Sequence, residues 1–355
     1  MLRRVPFLFF AILALARAGA APSPAPSPSA SPSEEAIINS MNAADLQQAV
    51  QLLKSNYINS EALSETELNR AMLVGLLDRI GPGVMFFSER APQPNESTNP
   101  VYGELIDGHI GYLRFGALTA ANLQTLDTHL QNMRAKKADA AVIDLRASPA
   151  TNDFAVGADF AKRFVAKGKP LFSLRRPSTK QERAFTNDRD PAYDGVMIVL
   201  ADGETSGPAE AIAAALHLQN KALIIGQPTA GQAVEFSDLP LNGGRILRVA
   251  VGEAILPDGH SLFSGGVKPD LPVEMSLVDK HSIFQQSLTS GMAQFIFETE
   301  RPHLNEAALL AGRNPELEAA EAGRKRNAPD KPALRDPVLQ RAIDVITSLS
   351  IYQQR

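Results

Sequence analysis

Thr205 and Ser206 place two hydroxyls side by side in the run Thr205-Ser206-Gly207-Pro208-Ala209-Glu210. The run lies between an apolar strand pattern, Val196 to Leu200, and a helical pattern, Ala209 to Leu218. A hydroxyl at the tip of a strand-to-helix turn could act as a nucleophile, because a helix N-terminus favours developing negative charge. It would need a base within hydrogen-bond reach. His217 is eleven residues beyond Ser206, a separation of ~16 Å along a helix, and so is too far. Lys221 lies past that helix. The plain alternative is that both hydroxyls cap the helix opening near Pro208, a residue suited to a first turn. Glu210 faces the same helix N-terminus and reads as structural. Asp144 and Arg146, in Asp144-Leu145-Arg146, read as an ion pair or loop clamp. The chain has no cysteine, which excludes disulfides, thiol catalysis and thiolate metal sites. Its six histidines are scattered without ligand spacing, so no metal and no cofactor is expected.

The elements that must position these residues form an alternating pattern. Gly111 to Phe115 is strand-like, Ala120 to Lys137 is an amphipathic helix, and Ala140 to Leu145 reads as a buried parallel strand. A helix at 153–166, strands near Leu171, at Val196 to Leu200 and at Leu223 to Ile225, and the helix from Ala209 follow. Such alternation predicts an α/β layered core. Before it, residues 34–89 read as a helical N-terminal segment, with Leu46, Val50, Leu53 and Tyr57 on one face and a stop at Gly81-Pro82-Gly83. Residues 90–100 hold prolines and polar groups and read as a linker, and 276–355 read as a helical C-terminal segment with Asp336-Pro337 opening its last helix.

Residues 1–20 combine Arg3-Arg4, an apolar run from Val5 to Ala16 and small residues around Ala18 and Ala20, the pattern of a cleaved signal peptide. The run is short for a bilayer core of ~30 Å, so no integral span is expected after cleavage. Residues 21–33 are almost entirely Pro, Ser and Ala and read as a disordered tether. The expected location is the periplasm or cell envelope, or the medium. The net charge is −4 and the densest basic cluster, Arg324-Lys325-Arg326, is short, which argues against a nucleic-acid partner.

Five segments in order resemble the tail-specific (carboxyl-terminal processing) serine peptidases: Asp144-Leu145-Arg146, the run from Thr205 to Glu210, Gly226 to Gln232, Gly252 to Gly259, and Gly266 to Asp270. The resemblance covers roughly residues 101–275, a core domain. It implies a crotonase/ClpP-like ββα fold and a Ser–Lys hydrolase. It also implies where the machinery should lie. The nucleophile position, three residues before the helix-opening Glu210, is Gly207, and the base position is Gln232. The acid position of some members is Leu218. The oxyanion loop positions include Ala150 and Thr151, where the family usually has glycine. Members usually carry a peptide-binding PDZ domain ahead of the core, and residues 90–100 are too few for one.

Three readings follow. One is a non-catalytic relative that binds an extended peptide, a protein C-terminal tail or an envelope partner. The second is an active serine-type endopeptidase using Ser206, or Thr205, as a relocated nucleophile. The third is a structural scaffold built on the helical ends, a homo-oligomer among its forms.

Overall fold

A computed structural model describes residues 33–88, 99–149, 151–296 and 334–353. The chain divides into two compact units, the first ending at Gly75 and the second starting at Leu76. The segments expected from sequence to be a signal peptide (1–20) and a tether (21–33, except Ser33), and most of the expected linker at 90–100, lie outside the described residues.

In the first unit, α1 (Glu34–Ser40) and α2 (Ala43–Asn56) precede the start of α3 (Glu65–Ile80). Asn42 caps α2 through Ala44 and Asp45 N–H, and Asp45 reaches back to the Asn42 N–H, closing a capping box. Ser64 caps α3 by accepting from Glu67 N–H at 3.3 Å. None of these three helices contains a buried residue, and the stripe Leu46, Val50, Leu53 and Tyr57 is exposed.

The second unit is a mixed α/β fold with two sheets. After Gly81-Pro82-Gly83, β1 (Val84–Phe87) corrects the helical expectation for 34–89: its four residues form a strand, as β-favouring Val and Phe following a helix breaker can. Next come the hairpin β2 (Tyr102–Ile106) and β3 (Ile110–Arg114), helix α4 (Ala120–Ala135), β4 (Ala140–Asp144) and α5 (Phe154–Ala161). Then follow the hairpin β5 (Pro170–Arg176) and β6 (Gln181–Thr186), β7 (Val196–Ala201), α6 (Pro208–Asn220) and β8 (Leu223–Gly226). The unit continues through β9 (Val234–Pro240), β10 (Ile246–Ile255), β11 (Leu271–Pro272), α7 (Leu277–Ser290) and α8 (Pro337–Gln353).

The main sheet has the order β11-β8-β7-β4-β3-β2, parallel except for the β2–β3 hairpin. Its strands alternate between two cores, as the period of two requires. Leu113, Ile143, Val199 and Ile224 face α4, α5, α6 and the second sheet, whereas Tyr112, Val142, Ile198 and Ile225 face α7 and α8. Strands buried on both faces explain the continuous apolar runs at 140–145 and 196–200. The second sheet is antiparallel, built from β1, β10, β5, β6 and β9. Its half-exposed strands have mixed composition, so among them only the strand near Leu171 carries a clear pattern in sequence.

Candidate functional site

A cleft of about 740 Å³ opens where the ends of β3, β4 and β7 meet the N-terminus of α6 and one side of α7. Ser148, Pro149, Ser206 and Gln232 line it, together with Arg114, Phe284, His281 and Leu288. Parallel sheets place ligand crevices at these carboxyl ends.

The turn between β7 and α6 is tied to its neighbours by its own side chains. Thr205 accepts from Asp202 N–H at 3.1 Å and donates to the Leu145 carbonyl at 3.3 Å, while Asp202 Oδ1 accepts from Glu204 N–H at 2.9 Å. Neither hydroxyl caps α6, contrary to the plain alternative drawn from sequence. The N-cap is Gly207, and Glu210 reaches back to its N–H at 3.1 Å. Thr205 is drawn away because the turn needs its hydroxyl to join two strand ends. Ser206 is 7% exposed, its hydroxyl is closed off from solvent, and among the described residues it has no hydrogen-bond partner.

Gly207 has φ 61° and ψ −130°, a conformation that glycine adopts readily and side chains resist. A β-carbon there would stand 3.1 Å from the Thr151 carbonyl oxygen. The loop before α5 thus crowds the place where a side chain on Gly207 would start. Pro208, at the first helical position, has no N–H to present beside it. Its ring fits against Gly157 of α5, where an added β-carbon would come within 2.6 Å.

Glu210 organises the backbone around this turn. Its two oxygens accept from Gly207 N–H at 3.1 Å, Gln232 N–H at 2.8 Å, Gly231 N–H at 2.7 Å and the Thr229 hydroxyl at 2.6 Å. Burial pushes its carboxyl above the usual range, and the four hydrogen bonds pull it back only in part. Gln232 therefore sits beside the turn, with its N–H held by Glu210, and lines the cleft. A carboxamide has no basic lone pair for a hydroxyl proton. Leu218 is 39% exposed near the end of α6. Thr151 accepts from Asp153 N–H at 3.2 Å, and Ala150 lies outside the described residues. His217 contacts the Ala222 carbonyl at 3.0 Å, at the opposite end of α6 from Gly207.

Behind the cleft, Arg146 donates to Asp144 at 2.9 and 2.7 Å and to Asp336, the capping residue of α8, at 3.2 and 2.8 Å. Tyr112 donates to Asp144 at 2.7 Å. Burial alone would raise the Asp144 carboxyl, but the Arg146 charge and these hydrogen bonds hold it below the usual range. Three residues that sequence reasoning did not single out complete the surroundings. Lys280 of α7, fully buried, donates to the Arg146 carbonyl at 3.1 Å, Asp202 at 2.5 Å and Glu204 at 2.6 Å. His281 meets Glu204 at 2.8 Å. Lys280 and His281 have no local motif, since their partners lie more than seventy residues away. Arg114 ends β3 at the cleft wall. Among the described residues no group of three or more His, Cys, Asp or Glu could hold a metal, and no helix is long and apolar enough to cross a membrane.

Residues 109–273 match the model of peptidase family S41. A carboxyl-terminal-processing protease of Synechocystis is 25% identical over 245 residues, covering 66% of this chain and 57% of that protein. The chloroplastic carboxyl-terminal-processing peptidase 1 of Arabidopsis thaliana is 27% identical, covering 50% and 37%. The carboxy-terminal processing protease CtpA of Bacillus subtilis is 24% identical, covering 56% and 42%. The chain therefore spans about half or less of the length of these curated relatives. A solved photosystem II D1 C-terminal processing protease is 19% identical with a TM-score of 0.42, covering 54% of this chain and 48% of that one.

Proposed function

We propose, on the premise that this chain belongs to peptidase family S41 through residues 109–273, that it is an exported member which holds an extended peptide or envelope partner in its cleft without hydrolysing it. Gly207 carries this reading. The resemblance puts the nucleophile at a residue that has no side chain and whose β-carbon position is crowded by Thr151. Three neighbouring features support it. Gln232 offers no base, Pro208 offers no backbone donor next to the nucleophile position, and Thr151 stands where the resemblance implies a glycine of the oxyanion loop. Glu210 holds the turn in shape without any of them, so the cleft can exist as a binding surface.

The relocated nucleophile has less support. The Ser206 hydroxyl is closed to solvent and has no partner among the described residues that could take its proton. A fluorophosphonate probe followed by mass-spectrometric site mapping tests this directly. No labelled residue is expected; labelling at Ser206, with proteolysis that disappears in Ser206→Ala, would overturn the proposal. Binding is tested separately with a peptide library. Saturable binding on the order of micromolar or weaker is expected, through strand addition and the cleft lining. Export is tested by N-terminal sequencing of envelope material, which should begin near residues 19–21.

A further inference from the structure

Arg114 is a buried cation with only neutral partners. It is 6% exposed and lines the cleft. Its guanidinium donates to the Ser287 hydroxyl at 2.9 Å, the Met292 sulfur at 3.7 Å and the Phe284 carbonyl at 3.4 Å. Its central carbon lies 4.8 Å from the Tyr102 ring centroid and 4.3 Å from that of Phe284. Aromatic faces attract a cation, but they do not replace a counter-ion.

The nearby carboxylates are committed elsewhere. Asp144 is the register partner of Arg114 on β4, yet both its oxygens are taken by Arg146 and Tyr112. Glu104 accepts from the Tyr102 hydroxyl at 2.7 Å and Met292 N–H at 2.8 Å. Glu204, the acid lining the cleft, is held by Lys280 and His281. Among the described residues no carboxylate is within ion-pair distance of Arg114. The contrast with Arg146, which holds two, is direct. Elsewhere on the wall of the same cleft, the side chains of Gln232 and Gln285 make no hydrogen bond among the described residues.

We propose that Arg114 supplies the counter-charge for a carboxylate on the molecule that occupies the cleft. The inference rests on the cleft-binding reading and narrows it from any extended peptide to one bearing a carboxylate at this point. That carboxylate could be a chain terminus or an acidic side chain; the chemistry at Arg114 is the same. Charge-assisted hydrogen bonds are stronger than neutral ones.

The test uses full-length protein and N-acetylated hexapeptides of Ala and Leu in calorimetric titration. Three forms are compared: the C-terminal acid, the C-terminal amide, and the amide with one internal Glu. The acid or the Glu form should bind about tenfold or more tightly than the plain amide, and which of them does so identifies the source. Arg114→Met should bring the favoured form down to the affinity of the amide. Equal affinity of all three forms for the native protein would overturn the proposal and leave the cleft-binding reading standing. If no form binds, that reading fails, and Arg114 is then probed with acetate alone. A thermal midpoint raised by acetate over chloride at constant ionic strength, in native protein but not in Arg114→Met, supports the site. Equal midpoints in the two salts refute it. Should Arg114→Met not fold, the preference of the native protein decides.

Discussion

Asp144 and Glu210 are both fully buried carboxylates, each bonded to a residue that lines the cleft, and their acidities move in opposite directions. Burial raises both. Asp144 has a guanidinium against it, and the charge of Arg146 more than offsets the loss of water. Glu210 has four hydrogen-bond donors and no cation, and dipoles alone leave it above the ordinary range. The two groups also do different work. Asp144 joins a charge network that fixes α8 to the main sheet, whereas Glu210 gathers backbone N–H groups from the turn before α6 and the loop after β8. The first arrangement holds elements together; the second shapes a loop around a vacant position.

The comparison is broken most severely at Arg146. Arg146→Met removes the cation shared by Asp144 and Asp336, leaving two buried carboxylates without it. A stability loss of about 3–5 kcal/mol is expected at neutral pH, read by urea unfolding. A loss below 1 kcal/mol would mean that the network contributes little.

Glu210→Gln is next. An amide NH₂ replaces one oxygen, so two of the four donors face another donor. Roughly 2–4 kcal/mol should be lost by the same measurement, because each unsatisfied buried donor is costly. Glu210→Asp, which keeps the charge but shortens the reach, gives a second point on the comparison.

A smaller effect is expected from Gly207→Ser with Gln232→Lys. Serine at φ 61° should cost about 1–2 kcal/mol, and peptide hydrolysis should stay at background because Pro208 has no N–H and Thr151 remains. Adding Pro208→Ala supplies a donor at the next residue. Peptidase activity appearing already in the double variant would show that the donor at 208 is dispensable.

The smallest effect is the pH dependence, and its sign separates the two carboxylates. Glu210 titrates higher in the folded state, so its contribution is fully present below about pH 4.3, its unfolded value, and is lost as pH rises through the folded value. Asp144 titrates lower when folded, so its contribution is present above about pH 3.9 and is lost as pH falls through its folded value. The stability of native protein minus that of Glu210→Gln should therefore shrink as pH rises from about 4.3. A difference that grows instead would show that the hydrogen bonds to Glu210 outweigh its burial.

The parallel strands were legible because burial on both faces makes β4 and β7 continuous apolar runs. The antiparallel second sheet was not, since strands such as β6, with Gln181, Glu182 and Arg183 exposed, carry little apolar signal. At the site, the turn from Thr205 to Glu210 could be located from its place between strand and helix. What its hydroxyls do could not, because Thr205 turns to Leu145, sixty residues earlier in the chain. Lys280 was invisible for the same reason. Its surroundings depend on three residues from other segments, and a lysine on a polar helix reads as solvated until the fold buries it. Pro208 opens the helix, as its residue type suggests in sequence; that it also removes a donor follows only from its place beside Gly207.

The bond from Arg146 to Asp336 spans 190 residues, and this has a consequence for the order of events during synthesis. At about 5–20 residues per second a ribosome needs roughly 10–40 s to cover that distance. Throughout that interval β4 exists without the cap of α8, and the apolar face awaiting Val338, Leu339 and Ile343 is uncovered. Before α8 is made, the Arg146 guanidinium lacks Asp336 and part of that sheet face lacks its cover. Closure of this face comes only once α8 is available, so the core is completed by a helix far along the chain from the strand it covers.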